Sequence, residues 1–204
     1  MKSIYQEVVA TMRNLGKYYY TFEIQTENDW GGDMNRSRKG KYREEFYGDY
    51  KVDFTNRTAY ITLNSNDKRF LNQETYYNDR KVYFGQEGRR WDILKFSKEE
   101  YNNLFEQNGK LSLFAFGSYD ASRMTTQYEG ENIVLDNIYM PKFDFKKKVY
   151  NLEAFKIRMK SDILTNLIKI IIFDGDNRYG YSGRIRYRYK LAAVNDLVHI
   201  EEPF

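Results

Sequence analysis

The segment Arg184-Ile185-Arg186-Tyr187-Arg188-Tyr189-Lys190-Leu191 alternates a cation with an apolar residue without a break. Successive side chains on a strand point to opposite faces, so Arg184, Arg186, Arg188 and Lys190 share one face. Ile185, Tyr187, Tyr189 and Leu191 share the other. A helix would smear both sets around its circumference. Lys156, Arg158 and Lys160 alternate in the same way with Phe155, Ile157 and Met159. If both strands lie in one sheet and face the same way, seven cations line one surface. Like charges directly opposite repel, so that surface calls for acidic neighbours, wide spacing or an anionic ligand.

Other stretches repeat the pattern. Tyr18, Tyr20, Phe22 and Ile24 alternate with Tyr19, Thr21, Glu23 and Gln25, which predicts a strand. Tyr50-Val52-Phe54 and Ala59-Ile61-Leu63 flank Asn56-Arg57 as a hairpin, and Val82 to Phe84 with Trp91 to Phe96 form a second across residues 85–88. Further strands are predicted at 111–116, 132–140, 154–160, 167–173 and 184–191, while residues 64–80 read as irregular. Helices are few. Ser3 and Gln6 make a capping box before Ile4, Val8, Met12 and Leu15, predicting a helix over about 3–15, and Ser97-Lys98-Glu99-Glu100 opens a short second one. Parallel strands would need a crossover helix after nearly every strand. The expected fold is therefore mainly β (α+β), an antiparallel sandwich or partly open barrel with an N-terminal helix and one or two short helices. It is expected to be a single domain over 1–204, with a long loop or arm at about 28–41.

Composition narrows the chemistry. With no cysteine and one histidine, His199, the chain holds no disulfide, no thiolate metal site and no zinc site of several His or Cys ligands. Twenty tyrosines and fourteen phenylalanines suit half-exposed sheet faces and interfaces. The first residues lack an apolar h-region, predicting no signal peptide, and the longest apolar run, Ile170 to Phe173, is too short to span a bilayer. Residues 142–190 carry 13 Lys and Arg against 5 Asp and Glu, so a basic third sits on a slightly acidic remainder.

The run Ile170-Ile171-Ile172-Phe173-Asp174-Gly175-Asp176 resembles the nucleophile strand of haloacid-dehalogenase-type phosphatases and the Asp-x-Asp of some glycosyltransferases. Only 28 residues follow Asp176, without the lysine and further acids such sites need. Asp174-Gly175 therefore reads as a hairpin turn, with Asp174 and Asp176 as weak candidates for a cation. Glu44 and Glu45 fall in a polar stretch with no sign of acid–base work. Trp30 with Arg36, Arg38 and Lys39 reads as an assembly arm, a large ring on a loop being a common anchor.

Together these features predict a non-enzymatic structural assembly subunit without cofactors. The expected setting is a virion component of the phage neck, ring or tail type, located in the virion or host cytoplasm and away from membranes. Its homo-oligomeric ring or stack would turn the basic face, Lys156, Arg158, Lys160, Arg184, Arg186, Arg188 and Lys190, toward an anionic partner or a neighbouring subunit. The alternative is a nucleic-acid-binding β-barrel that contacts phosphates non-specifically.

Overall fold

Two antiparallel meanders, one from each half of the chain, join through the first and last strands. A computed structural model describes residues 3–29, 41–68, 70–86, 89–106, 109–113, 119–144, 149–176 and 183–202. Helix α1 (Ile4–Arg13) leads into β1 (Lys17–Asp29), β2 (Lys41–Asp53), β3 (Thr58–Ser65), β4 (Gln73–Asn78), β5 (Lys81–Gln86) and β6 (Arg89–Lys95). Helix α2 (Lys98–Leu104) precedes β7 (Thr125–Glu129), β8 (Asn132–Asp144), β9 (Val149–Asp162), β10 (Ile168–Asp176) and β11 (Gly183–Val194), and a 3-10 turn spans Asn195–Leu197. The eleven strands form one sheet in the order β6-β5-β4-β3-β2-β1-β11-β10-β9-β8-β7. Every neighbour but β1 and β11 is also a neighbour in sequence.

The mainly antiparallel β architecture with few helices is the expected one. The second sheet of a sandwich is not found among the described residues. Alternation states that a strand has an apolar side, but not what covers it. Here the cover at one end of the sheet is α1 and the segment around Leu111, and we call the face they cover the inner face.

Both predicted capping boxes form. Ser3 Oγ accepts the Gln6 N–H while Gln6 Oε1 accepts the Ser3 N–H, and Ser97 with Glu100 repeats the arrangement. Val8, Val9 and Met12 on α1 are buried, and Met12 Sδ accepts the Ile168 N–H at 3.2 Å, fixing the helix over the start of β10. The covered end of the core is rich in tyrosine, and the hydroxyls of Tyr18, Tyr20 and Tyr50 are satisfied there. Tyr18 Oη donates to the Leu111 carbonyl at 3.1 Å and accepts the Leu113 N–H at 3.0 Å. Tyr50 Oη donates to the same Leu111 carbonyl, and Tyr20 Oη donates to the Ile168 carbonyl at 2.7 Å. These bonds let phenols replace aliphatic residues in a dry core without leaving an orphaned polar group.

Gly48 on β2 is forced by its neighbours. A Cβ there would sit 1.9 Å from the Thr62 carbonyl oxygen and 2.8 Å from the Phe22 ring. The Thr62 hydroxyl bonds the Asp49 N–H at 2.8 Å at this point between the strands.

Several expected elements differ. Residues 64–80 contain β4, hidden in sequence because Gln73-Glu74-Thr75-Tyr76-Tyr77-Asn78 has few apolar residues to mark a period. Residues 111–113 form turns rather than the start of a strand, since the Leu111 and Leu113 backbones serve the Tyr18 and Tyr50 hydroxyls. Asp174-Gly175 is not a turn. Both residues stay in β10, paired with Arg186 and Ile185 of β11. The arm residues Trp30, Arg36, Arg38 and Lys39 lie outside the described residues.

Candidate functional site

Strand register builds the inner face row by row across six strands. The first row runs Gly48, Phe22, Tyr189, Ile171, Met159, Leu135 on β2, β1, β11, β10, β9 and β8. Next comes Phe46, Ile24, Tyr187, Phe173, Ile157, Ile138. The third is Glu44, Thr26, Ile185, Gly175, Phe155, Met140. Neighbouring strands lie roughly 4.8 Å apart, so each row is about 24 Å long.

Partly exposed side chains become more frequent away from α1, although Phe173, Ile157, Ile138 and Thr26 stay buried. In the first row Phe22, Ile171, Met159 and Leu135 are buried. In the second, Ile24, Phe46 and Tyr187 are half-buried, and in the third Met140, Phe155 and Ile185 are half-buried too. The rings touch continuously. Phe22 lies 5.7 Å from Tyr189, Tyr189 5.9 Å from Phe173, and Phe155 5.9 Å from Tyr187, most of them edge-on or tilted as ring quadrupoles prefer. Tyr119 adds its ring over Phe173 at 6.3 Å and donates its hydroxyl to the Leu113 carbonyl.

This face offers water-poor apolar contact and little reactive chemistry. Burial raises the Tyr189 hydroxyl well above its ordinary pKa, with the neighbouring Tyr187 adding to the shift, and burial raises Tyr187 as well. Both therefore stay neutral near pH 7 and supply no nucleophile or base. Glu44 is the one charged side chain in the three rows. Thr26, buried beside it, donates its hydroxyl to Glu44 Oε2 at 3.3 Å.

All seven cations of the predicted stripe lie together on the outer face, as the alternation requires. Across β9, β10 and β11, Lys156 is in register with Asp174 and Arg186, Arg158 with Ile172 and Arg188, and Lys160 with Ile170 and Lys190. Acids of the same face neutralise most of them. Asp136 takes Lys156 at 3.5 Å and Arg158 at 3.2 Å, Glu129 takes Lys160 at 3.1 Å, and Glu23 stands 3.8 Å from Arg188. Arg184 grips Asp174 through two bonds of 2.7 Å and Arg186 adds a third. The hydrogen bonds from Arg184 hold the Asp174 carboxyl below its usual pKa, with Arg186 assisting against partial burial. Among the described residues, Lys190 alone of the seven has no carboxylate partner. A shallow depression of about 320 Å³ between these pairs is floored by Val134, Ile170 and Ile172.

Asp174 is thus occupied by two guanidinium groups, and the Asp176 side chain lies outside the described residues. His199 is exposed near the end of the chain. What the sequence did not flag is the half-open inner face itself. Its one available signal was the opposite side of the same alternation, Phe155, Tyr187 and Ile185.

No family model matches the sequence, and no curated protein matches it. Solved structures do resemble it in fold. The lipoprotein LppX of Mycobacterium tuberculosis superposes with a TM-score of 0.52 at 10% identity, covering 97% of this chain and 96% of that one. A LolA superfamily protein from Nitrosomonas europaea matches with a TM-score of 0.36 at 8% identity over 96% of this chain and 97% of its own. A DUF1329 family protein from Desulfovibrio piger matches with a TM-score of 0.34 at 11% identity over 97% and 93%.

These findings correct the functional expectation. Over 97% of its length the chain resembles in fold the lipoprotein LppX, and the virion assembly reading is overturned. The placement in a virion or host cytoplasm rested on that role and goes with it. The predicted partners, further copies in a ring and nucleic acid, are overturned as well. Physically, six of the seven cations meant for phosphates or a neighbour already pair with acids of their own chain. Tyr187, Tyr189 and Phe155, the rings nearest those cations in sequence, lie on the opposite side of the sheet, where they cannot stack on bases held by them.

Proposed function

We propose that the protein is a non-enzymatic binder or carrier of an elongated apolar ligand, such as an acyl chain, held along the second and third rows of the inner face. One observation carries this reading: Ile24, Phe46, Phe155, Ile185 and Tyr187 form a partly exposed apolar strip beside buried Phe173 and Ile157, on the face that α1 covers at its other end. A strip of that kind gains roughly 25 cal/mol for each Å² of apolar surface that a ligand removes from water. Apolar walls with a few placed polar groups are the usual composition of small-molecule sites.

The fold supports the same reading. Eleven strands twisting in one sense curl rather than stay flat, and we read the sheet as a half-barrel wrapped around this strip. The outer depression is a poorer candidate, because an incoming group there must compete with the pairs that Asp136, Asp174 and Glu129 already make.

Calorimetric titration with dodecanol, a neutral chain, tests the proposal. Saturable binding with a negative heat-capacity change is expected, weakened at least tenfold in Ile24→Asp while far-ultraviolet circular dichroism is retained. Absence of saturable binding by dodecanol, or equal binding by Ile24→Asp, refutes it.

A further inference from the structure

The third row of the inner face ends in a carboxylate where an apolar partner would be expected. Glu44 sits opposite Thr26, in the row that continues through Ile185, Gly175 and Phe155. Its chain neighbours Arg43 and Glu45 point to the outer face, where they pair with each other at 3.2 Å, so Arg43 does not neutralise it. Among the described residues, the buried Thr26 hydroxyl is the one hydrogen-bond partner of the carboxylate, and it donates to Oε2. The rest of all three rows is uncharged, so Glu44 is the group there that a cation beside the apolar strip would meet.

Resting on the apolar-ligand reading, we propose that Glu44 is a headgroup anchor and that the preferred ligand is a cationic amphiphile, a long chain ending in a protonated amine. The ligand chain lies along Ile24, Tyr187 and Phe155, and the ammonium donates to Glu44 Oε1 while Thr26 holds Oε2. An ammonium satisfies this site by charge as well as by hydrogen bonding, which a hydroxyl end does only by hydrogen bonding and a carboxylate end opposes. Selectivity then comes from Glu44 and affinity from the strip.

Titration of the full chain with dodecylamine, dodecanol and dodecanoate separates the two claims. The amine is expected to bind about tenfold more tightly than the alcohol, a difference of about 1.4 kcal/mol, and dodecanoate more weakly than either. Glu44→Gln, which keeps an acceptor for Thr26, is expected to abolish the preference for the amine while dodecanol still binds saturably. Glu23→Gln, on the outer face of the adjacent strand, is expected to preserve the preference. Equal binding of amine and alcohol by the unaltered protein, or a preference that survives Glu44→Gln, overturns the headgroup assignment and leaves the apolar-ligand reading standing. Failure of dodecanol to bind at all overturns both.

Discussion

Alkaline pH should unfold this protein steeply, because its core is built on phenols that must stay neutral. Tyr18, Tyr20 and Tyr50 are buried to 1%, 0% and 8% exposure, and burial raises each hydroxyl well above the ordinary value near 10. Below pH 10 the three are protonated in both folded and unfolded chains, and their contribution to stability is fully present. Above pH 10 the unfolded chain releases three protons that the native state retains. The native state then binds more protons, so stability falls as pH rises. Each group contributes about 1.4 kcal/mol per pH unit, so the three together give a slope of roughly 4 kcal/mol per unit. A typical total stability of about 5–15 kcal/mol is consumed within a few units of pH 10. Urea unfolding followed by circular dichroism at pH 8, 10, 11 and 12 measures the slope. Tyr20→Phe isolates one group: its slope between pH 10 and 12 should be shallower by about 1.4 kcal/mol per unit. A flat stability from pH 10 to 12, or three phenols titrating near pH 10 in a still-folded protein, would refute the account.

Gly48→Ala should lower stability by at least about 2 kcal/mol, as expected when a backbone contact has to be displaced, since the new Cβ meets the Thr62 carbonyl at 1.9 Å. A loss under about 0.5 kcal/mol in urea denaturation would show that the two strands part freely there. Tyr18→Phe and Tyr50→Phe should be non-additive, because both hydroxyls donate to the Leu111 carbonyl. Tyr50→Phe leaves that carbonyl served and should cost about 1 kcal/mol, whereas Tyr18→Phe also orphans the Leu113 N–H and should cost about 2 kcal/mol. The double variant should lose more than the two combined, by about 1 kcal/mol, and simple additivity in a double-mutant cycle would exclude the shared acceptor.

Much of the fold is legible wherever one physical rule governs a segment. Ser3 with Gln6 and Ser97 with Glu100 mark helix starts through local bonds alone, so neighbouring elements had no influence on them. Strict alternation placed Arg184 to Lys190 on one face and Ile185 to Leu191 on the other. Global arrangement is harder, because alternation fixes a face but not its cover. One sheet and two sandwiched sheets ask the same pattern of each strand. Asp174-Gly175 misleads because its turn propensity is local, while the three hydrogen bonds from Arg184 and Arg186 come from a strand the dipeptide cannot reveal. The candidate site was obscured by its own composition. On β2 the inner set is Glu44, Phe46, Gly48, Tyr50 and Val52, and the glycine and the carboxylate break the apolar period that would have exposed it. Glu44 and Glu45 look equivalent in sequence, yet the pleat sends one to each side.

The pairing of β1 with β11 sets the order of assembly during synthesis. Each meander can form from hairpins as soon as its own residues emerge, but Phe22 must wait for Tyr189. Until then β1 presents a bare edge, a template for pairing with any other nascent strand. Production at high expression levels should therefore favour entangled chains over native ones, and lowering the concentration of nascent chains should restore the yield.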